Sequence, residues 1–307
     1  HEYGHYYFAK KYGVGVTDFS IGFGKEIFGW NDKSGTRWKI CWIPLGGYVK
    51  FFGDRNVFSQ ADQEKILQKY NEEDQKKLFV LKPLYQRVLI VFGGPLANFL
   101  LALVIFFSIY TFVGKDFTPA VINEVQKDSP AMVGGLKDND IILEIDGNEV
   151  KSIMDVSKYI MMSTDDFINF KVKRSYDELL LKIKPNIVLG EDGLGNKINK
   201  RMVGIKLGAY NNEINHVKLG PAQAIYHAAN EVYYVSISSL KYIGAMIFGK
   251  ADTSQLGGPI RIAKISGQVA EFGILAFISM MAYISISLGL INLFPIPMLD
   301  GGHLMFY

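Results

Sequence analysis

Two long stretches without a charged side chain constrain this chain more than any other feature. Residues 88–114 and 272–299 contain no Asp, Glu, Lys or Arg. About 20 apolar residues suffice to cross the hydrocarbon core of a bilayer, whereas helices of soluble proteins rarely reach this length without a charge. A buried core helix is the alternative for each stretch. The sequence favours two membrane spans, one at 88–114 and one within 269–307.

The overall charge and the cysteine count exclude several classes of protein. The chain has 307 residues and a net charge of +3, and it contains no dense basic run, so we expect no nucleic-acid partner. The single cysteine, Cys41, excludes an internal disulfide framework and a cysteine-rich zinc site. Because the chain begins at a histidine rather than at Met, we expect it to be a trimmed segment of a longer protein.

The distribution of Lys and Arg indicates how the chain is oriented. These residues are denser in 10–87 than between the two apolar stretches. Cytoplasmic segments carry the excess of positive charge, so 10–87 is predicted on the cytoplasmic side and the segment between the spans on the outer side. Residues 1–9 would then be the inner end of a truncated earlier span.

The first five residues form the pattern H-E-x-x-H. On a helix, His1 and His5 lie one turn apart and project from the same face, so both can reach one metal ion. Glu2 lies beside that ion and can take a proton from a water whose pKa zinc lowers to about 7. The same five residues can also form a solvated helix face. The remainder of the chain must therefore supply a third ligand.

The end of the second apolar stretch contains the candidate for this ligand. Pro295 and Pro297 break the helix, and irregular backbone at membrane depth is tolerated where it is buried in protein or lines a cavity. Asp300 lies at the edge of this break and is predicted to be the third zinc ligand, which leaves the fourth position for water. His303 is the rival ligand. Asn292 is predicted to hydrogen-bond the substrate carbonyl or the developing oxyanion.

Two segments of 10–87 combine glycine with aromatic residues. Apolar alternation punctuated by glycine predicts short β-hairpins. Beside a metal site, the edge of such a sheet could pair with an extended substrate; alternatively, the hairpins only anchor the chain at the membrane surface. The candidate substrate-binding residues are Gly22, Phe23 and Gly24 in one segment and Gly46, Gly47 and Tyr48 in the other.

Asn98 is a polar residue inside the first predicted span. An amide at lipid depth needs hydrogen-bonding partners, so its side chain is expected to face protein. Two roles are open, a contact between helices and a place near the metal site. The neighbouring small residues Gly93 and Gly94 allow close approach of another helix.

Residues 118–208 have the composition of a soluble α/β module. From about 120 the pattern predicts strand, turn, short helix, strand, turn, strand and helix. The stretch Ser129–Val150, which reads S-P-A-x-x-x-G-L-x-x-x-D-x-I-L-x-I-D-G-x-x-V, resembles a PDZ domain of the bacterial protease-associated type. PDZ grooves bind an extended peptide by strand addition, and Met202–Ile205 could lie in a strand near the groove. For 209–268 we favour an amphipathic helix at the outer interface over a third span.

Together these motifs resemble the site-2 protease family of intramembrane zinc metalloproteases, close to the bacterial regulator-of-sigma-E protease branch. The resemblance covers essentially the whole chain and rests on HEYGH, GFG, GGYVKF, GGPLANF, the PDZ-like module, GGPI at 257–260 and NLFPIPMLDGG. It implies that His1, His5 and Asp300 hold one zinc ion, that Glu2 is the general base and that Asn292 handles substrate. The best-known members of this branch carry tandem PDZ modules, whereas this chain shows one.

The resemblance also implies the fold, the activity and the location. The expected fold is a multi-span α-helical membrane protein with a membrane-associated β-hairpin region and one inserted α/β PDZ domain. The expected enzyme cleaves single-span membrane proteins, such as anti-sigma factors, in regulated intramembrane proteolysis. Its partners would be that substrate, peptide termini at the PDZ groove and the lipid bilayer. We expect a multi-pass protein of the bacterial inner membrane with the PDZ domain on the periplasmic side, divided into 1–9, 10–87, 88–114, 118–208, 209–268 and 269–307.

Two other classes are open from the residues alone. A non-catalytic membrane PDZ adaptor would bind exposed peptide termini without needing an H-E-x-x-H pattern paired with an intramembrane aspartate, and metal analysis distinguishes it. A membrane zinc protease of the prenyl-protein type would draw its third ligand from a glutamate on another helix. Neither uncharged stretch contains a glutamate.

Overall fold

The computed structural model describes residues 1–53, 70–191, 197–209, 215–249, 259–297 and 299–306. The chain divides into two compact units. The first unit comprises 1–102 together with 284–307, and the second comprises 103–283.

Most strands of the described residues lie between the two apolar stretches. The elements before the second unit's sheet are α1 (Glu2–Lys11), β1 (Val16–Asn31), β2 (Arg37–Phe51), α2 (Glu72–Gln75), a 3₁₀ turn (Phe79–Leu81), α3 (Leu84–Ser108), a π-helical turn (Ile109–Val113) and β3 (Lys115–Asp116). The sheet and its neighbours are β4 (Ala120–Val125), α4 (Pro130–Val133), β5 (Ile141–Ile145), β6 (Asn148–Glu149), α5 (Ile153–Met162), β7 (Ile168–Arg174), β8 (Asp177–Ile183), β9 (Asn186–Glu191), β10 (Lys197–Met202), β11 (Ile205–Ala209) and β12 (His216–Val217). The remaining helices are α6 (Pro221–Ile247), α7 (Pro259–Glu271), α8 (Ile274–Leu293) and α9 (Asp300–Phe306).

The glycine-rich region of the first unit forms one long antiparallel hairpin, β1 with β2. The prediction of several short hairpins is therefore wrong. Gly22, Gly24 and Gly46 adopt positive φ angles of 87°, 87° and 90°, and the register of the pair shifts repeatedly along the strands. Because glycine tolerates these angles without steric cost, the strands bend at bulges instead of ending there.

The turn between β1 and β2 is built around the carboxylate of Asp32. Its Oδ1 accepts hydrogen bonds from the backbone N–H groups of Ser34 and Thr36, both at 2.9 Å. Its Oδ2 accepts from the Tyr6 hydroxyl at 2.9 Å and from Nε1 of Trp38 at 3.2 Å. Burial alone would raise the pKa of Asp32, but the hydrogen bond from the Ser34 hydroxyl, at 2.6 Å, together with those from Thr36, Tyr6 and Trp38 outweighs it and holds the pKa well below its ordinary value.

Two helices in the described part of the chain are long and apolar enough to cross a membrane. One runs from Leu84 to Val113 and has 30 residues, and the other runs from Ile274 to Leu293 and has 20. They lie at the two stretches predicted from the absence of charge. α6 is comparable in length but is not one of them, because polar residues such as Asn230, Glu231 and Lys241 interrupt it.

The second unit contains a mixed module of sheet and short helices. The strands pair in the order β11-β4-β5-β7-β8, with β6 joined to β5, and every pairing is antiparallel. From β4 to α5 the elements follow the predicted order of strand, short helix, strand, strand and helix. Ser129 caps α4, and Ser152 forms a capping box with Asp155 at the start of α5. The core is apolar and includes the fully buried side chains of Ile122, Ile142, Ile145, Ile168, Phe170 and Val172.

Candidate metal centre

The two histidines of α1 meet the aspartate of α9 within the first unit. Nε2 of His1 lies 3.3 Å from Nε2 of His5, as expected for residues one helical turn apart. Oδ2 of Asp300 lies 3.0 Å from the first of these nitrogens and 3.4 Å from the second. Three ligand atoms from distant parts of the sequence therefore converge on one point.

The second histidine is oriented by a backbone carbonyl. Nδ1 of His5 lies 2.9 Å from the carbonyl oxygen of Ile90 on α3. A carbonyl oxygen only accepts hydrogen bonds, so Nδ1 carries the proton and the neutral imidazole keeps its lone pair on Nε2. Metal-binding histidines commonly donate their other ring N–H in this way, which fixes both tautomer and ring orientation.

Asn98 lies beside His1. The structure therefore favours a place near the metal site over a contact between helices as its role. Its amide nitrogen position is 3.3 Å from Nδ1 of His1, and the residue is 4% exposed. An amide can present either its oxygen or its nitrogen at such a position. With the oxygen toward His1, Asn98 accepts the Nδ1 proton and leaves Nε2 free to bind. Ser285 of α8 donates a 2.9 Å hydrogen bond to the backbone carbonyl of Asn98.

Glycines on α3 and α1 make room for this arrangement. A Cβ atom on Gly94 would overlap Nε2 of His5 and would lie 2.8 Å from Cε1 of His1. A Cβ atom on Gly4 would overlap the carbonyl of Gly93. The two helices therefore approach each other through backbone surfaces, which no residue larger than glycine would allow. The functional importance of Gly4 and Gly94 was not identified from sequence, although the pair Gly93-Gly94 had marked a close helix contact.

The helix break after the second apolar helix positions Asp300, the candidate third ligand. Asp300 is the first residue of α9, and Met298 lies outside the described residues. A Cβ atom on Gly301 would overlap the carbonyls of Leu293 and Phe294, and one on Gly302 would overlap the carbonyl of Ile296. The glycines thus let α9 pack directly against the broken backbone, which turns the chain so that the aspartate reaches the histidines.

The geometry fits a tetrahedral zinc ion. Two imidazole nitrogens and one carboxylate oxygen form a donor set typical of catalytic zinc sites. With metal–ligand distances of 2.0–2.1 Å, the ligand atoms of a tetrahedral site are about 3.3–3.4 Å apart. The three distances between the ligand atoms, 3.0, 3.3 and 3.4 Å, match that spacing. Oδ2 of Asp300 is buried beside these two nitrogens, where a metal ion would satisfy it.

Glu2 lies next to this cluster and next to the hairpin. The backbone of Val49 on β2 lies close to the Glu2 carboxyl group. The Cγ of Glu2 lies 3.3 Å from the position of a Cβ atom on Gly47. The structure therefore brings the segment Gly46–Tyr48 beside the predicted general base.

The other predicted glycine segment meets this one within the hairpin. The ring of Phe23 stacks on the ring of Tyr48 with centroids 6.2 Å apart. A Cβ atom on Gly46 would lie 3.0 Å from Cε2 of Phe23. Gly22 and Gly24, the residues on either side of Phe23 in the sequence, both have positive φ angles, at which β1 bends.

Two further candidates lie outside the three-ligand cluster. Asn292 is half-buried in the last turn of α8 and, in the part of the chain that the structure describes, makes no hydrogen bond to the three ligands or to Glu2. His303, the rival third ligand, lies one turn beyond Asp300 on α9 and is not part of the cluster.

A helical pair of histidines, an adjacent glutamate and an aspartate from a second segment define a zinc-peptidase type of centre. The comparison with known families agrees. Residues 1–307 match Peptidase family M50, and the chain belongs to this family, the site-2 protease family. The prediction of a zinc metalloprotease from this family is confirmed.

Curated relatives and solved structures are also similar to this chain. A predicted zinc metalloprotease of Agrobacterium fabrum is 40% identical over 100% of this chain and 81% of its own length. Metalloprotease MmpA of Caulobacter vibrioides is 32% identical over 100% of this chain and 82% of its own length. The PDZ domain of the SdrC-like protein from Listeria monocytogenes is 27% identical, with a TM-score of 0.24, over 30% of this chain and 88% of that one.

Proposed function

We propose that this zinc metalloprotease is an intramembrane endopeptidase that cleaves single-span membrane proteins, including anti-sigma-factor-like substrates, in regulated intramembrane proteolysis. The observation that carries the proposal is the convergence of His1, His5 and Asp300, with Glu2 beside them, next to two apolar helices. A protease centre that packs against apolar helices would have its natural substrates among membrane-embedded peptide bonds.

The surfaces of the apolar helices and of the hairpin support a location in the membrane. In the most apolar 18 residues of the helix Leu84–Val113, only 39% is buried, and in those of Ile274–Leu293 only 28% is buried. The core helix of a soluble protein is mostly buried. Large apolar side chains are also exposed along the hairpin, where water would not favour them. They include Ile21, Ile27, Phe28, Trp42 and Ile43. We infer a multi-pass protein of the bacterial inner membrane with the sheet module of the second unit on the periplasmic side.

The mechanism assigns a distinct task to each side chain. His1, His5 and Asp300 would hold one zinc ion, with the Ile90 carbonyl and Asn98 orienting the two imidazoles. When bound, zinc supplies positive charge that polarises the scissile carbonyl and makes water acidic enough to be activated near neutral pH. Glu2 accepts the proton of the attacking water and delivers it to the leaving amide nitrogen.

The substrate must reach this centre in an extended form. The amides of a transmembrane helix are bonded internally, so the segment to be cleaved has to unwind locally. The bent strands at Gly22–Gly24 and Gly46–Tyr48 offer backbone groups that can pair with the unwound segment and offset part of that cost. Val49 links this part of β2 to Glu2, which keeps the pairing edge close to the base. Asn292 is assigned to the substrate carbonyl.

The module of the second unit is proposed to bind peptide termini. β11 forms one end of the strand order, and in the described residues its outer edge pairs with no strand. An extended peptide can add to such an edge and place alternate side chains against α5. This binding would select or restrain substrates before cleavage.

Cleavage by the full-length parent protein in detergent tests the catalytic proposal. The substrate is a generic single-span membrane protein, and Glu2→Gln is compared with Asp300→Asn. We expect Glu2→Gln to keep zinc but to lose at least about 100-fold in cleavage rate, because general-base catalysis contributes 10²–10⁴-fold. Asp300→Asn should lose zinc as well as activity. Normal turnover by Glu2→Gln would refute the assignment of the base, and absence of both zinc and cleavage in the parent would favour a non-catalytic adaptor.

A further inference from the structure

The second unit contains a cavity of about 790 Å³ between α5 and β11. Val156 and Ile160 line it from the helix, and Ile205 and Leu207 line it from the strand. An edge strand and a facing helix with apolar side chains are the two walls that an extended peptide needs. This cavity is the peptide groove proposed above.

A third wall of the same groove comes from a different part of the chain. Tyr242 of α6 and Gly249, which follows that helix, also line the cavity. Both residues lie outside the 118–208 module. The shape of the groove is therefore decided partly by a helix that sequence analysis assigned to a separate region.

An ion pair with a buried carboxylate holds α6 against α5, the helix that lines the groove. Nζ of Lys158 on α5 lies 2.6 Å from Oε1 of Glu231 on α6, and Glu231 is only 8% exposed. The hydroxyl of Tyr283 on α8 donates a 3.0 Å hydrogen bond to the same oxygen. Removing one partner of such a pair leaves a buried charge without compensation, which is strongly unfavourable.

Aromatic contacts reinforce this junction. The ring of Tyr159 on α5 packs against that of Tyr234 on α6 with centroids 4.9 Å apart. Nζ of Lys158 lies 4.5 Å from the centroid of the Tyr234 ring, within the range of a cation–π interaction. The groove helix therefore cannot move away from α6 without breaking several interactions at once.

The ion pair and the groove wall lie on one face of α6. Glu231, Val235, Ser238, Tyr242 and Ala245 follow each other at intervals of four and three residues, which is the spacing of a single helical face. The members of this series are buried or half-buried. Because Tyr242 lies on the same face about three helical turns after Glu231, the ion pair with α5 also directs Tyr242 toward the groove.

We propose that α6 is the third wall of the peptide groove, that Tyr242 contacts the bound peptide, and that the Lys158–Glu231 pair is the positioning element that sets this wall. The proposal rests on the proposed peptide-binding function of the groove. The favoured ligand is an extended peptide with apolar residues at alternate positions and an aromatic side chain against Tyr242. Aromatic pairs add affinity beyond the area that they bury, so an aromatic residue is preferred over an aliphatic one there.

Peptide binding by the full chain in detergent tests the third wall. The probe is a fluorescein-labelled decapeptide with apolar residues at alternate positions, one of them Phe, and binding is followed by fluorescence polarisation. Tyr242→Ala is expected to weaken binding about tenfold, as for an aromatic anchor of an interface. The matched control is Tyr233→Ala on the same helix, whose side chain is 68% exposed and does not line the cavity. It should bind as wild type does.

A groove-filling variant separates failure of this inference from failure of the groove itself. Ser157 is exposed on α5 and lines the cavity, so Ser157→Trp should block the groove without disturbing the core. If Ser157→Trp loses peptide binding and Tyr242→Ala binds as wild type does, the groove binds the peptide but α6 is not its third wall. No binding by wild type, or equal binding by Ser157→Trp, would overturn both.

A double-mutant cycle tests the positioning role of the ion pair. Lys158→Met combined with Glu231→Gln removes both charges, so no buried charge is left unpaired. We expect this pair of substitutions to weaken peptide binding about as much as Tyr242→Ala does. The triple variant, which combines the pair with Tyr242→Ala, should bind the peptide no more weakly than Tyr242→Ala alone. Additive losses in the triple variant would show that the pair does not act through Tyr242. Thermal unfolding of each variant verifies that it is folded.

Discussion

Replacing Gly94 by Ala tests whether the backbone of α3 packs directly against the two histidines. The added Cβ atom would overlap Nε2 of His5 and lie 2.8 Å from Cε1 of His1. Carbon atoms in favourable contact are about 3.5–4.0 Å apart, so the His1 ring has to move by about 1 Å and the His5 ring by more.

The size of this displacement sets the expected loss of zinc affinity. Metal–ligand distances hold to within about 0.2 Å, so a shift of about 1 Å removes at least one nitrogen from the ligand set. Removing only an outer hydrogen-bond partner of a ligand costs about 10–100-fold in metal affinity. We therefore expect Gly94→Ala to lower zinc affinity by about 100-fold or more.

Competition with a chromogenic zinc chelator measures this affinity in the full-length parent protein. The matched control is Gly267→Ala on α7, where the described structure places no atom within 4 Å of the new methyl group. The control should bind zinc as wild type does, and thermal unfolding of both metal-free proteins would separate a local effect from unfolding. Wild-type zinc affinity in Gly94→Ala would refute the packing of α3 against the histidines.

Three further predictions follow from the first unit. Asp300→Asn should abolish stoichiometric zinc binding in mass-spectrometric analysis while Asn292→Ala retains it. Gly4→Ala, whose methyl group would overlap the carbonyl of Gly93, should destabilise the protein by about 1–3 kcal/mol, measured by chemical unfolding against Gly267→Ala. The pKa of Asp32 is depressed in the fold, so its stabilising effect is complete above its unfolded pKa of about 3.9 and is lost as the pH falls below it. Asp32→Asn should therefore lower the unfolding temperature at pH 7, and a difference from wild type that persists undiminished at pH 3 would contradict this.

The candidate ligands could be predicted from sequence because each depends on a local pattern. His1 and His5 are paired by the helical period, which is a property of the backbone alone. Asp300 stood out because a carboxylate beside two helix-breaking prolines is rare in an apolar segment. The structure brings all three ligand atoms to within 4.8 Å of one another.

The length of the strands in the hairpin could not be predicted from local sequence patterns. Apolar alternation punctuated by glycine predicts short hairpins, whereas the structure has one hairpin of 16- and 15-residue strands. A glycine can terminate a strand or bend it, and the sequence is the same in both cases. The outcome depends on whether the partner strand continues past the bend, which is a non-local property.

The sequence by itself determined the class of protein, the two apolar helices and the candidate zinc ligands, because hydropathy, helical periodicity and side-chain chemistry are all local. Tertiary structure alone decided which backbone groups orient those ligands. The carbonyl of Ile90 holds the Nδ1 proton of His5, and Gly94 leaves space for both histidine rings. Each of these contacts joins residues that are far apart in the chain. Their proximity results from packing of the whole unit, which no short stretch of sequence encodes.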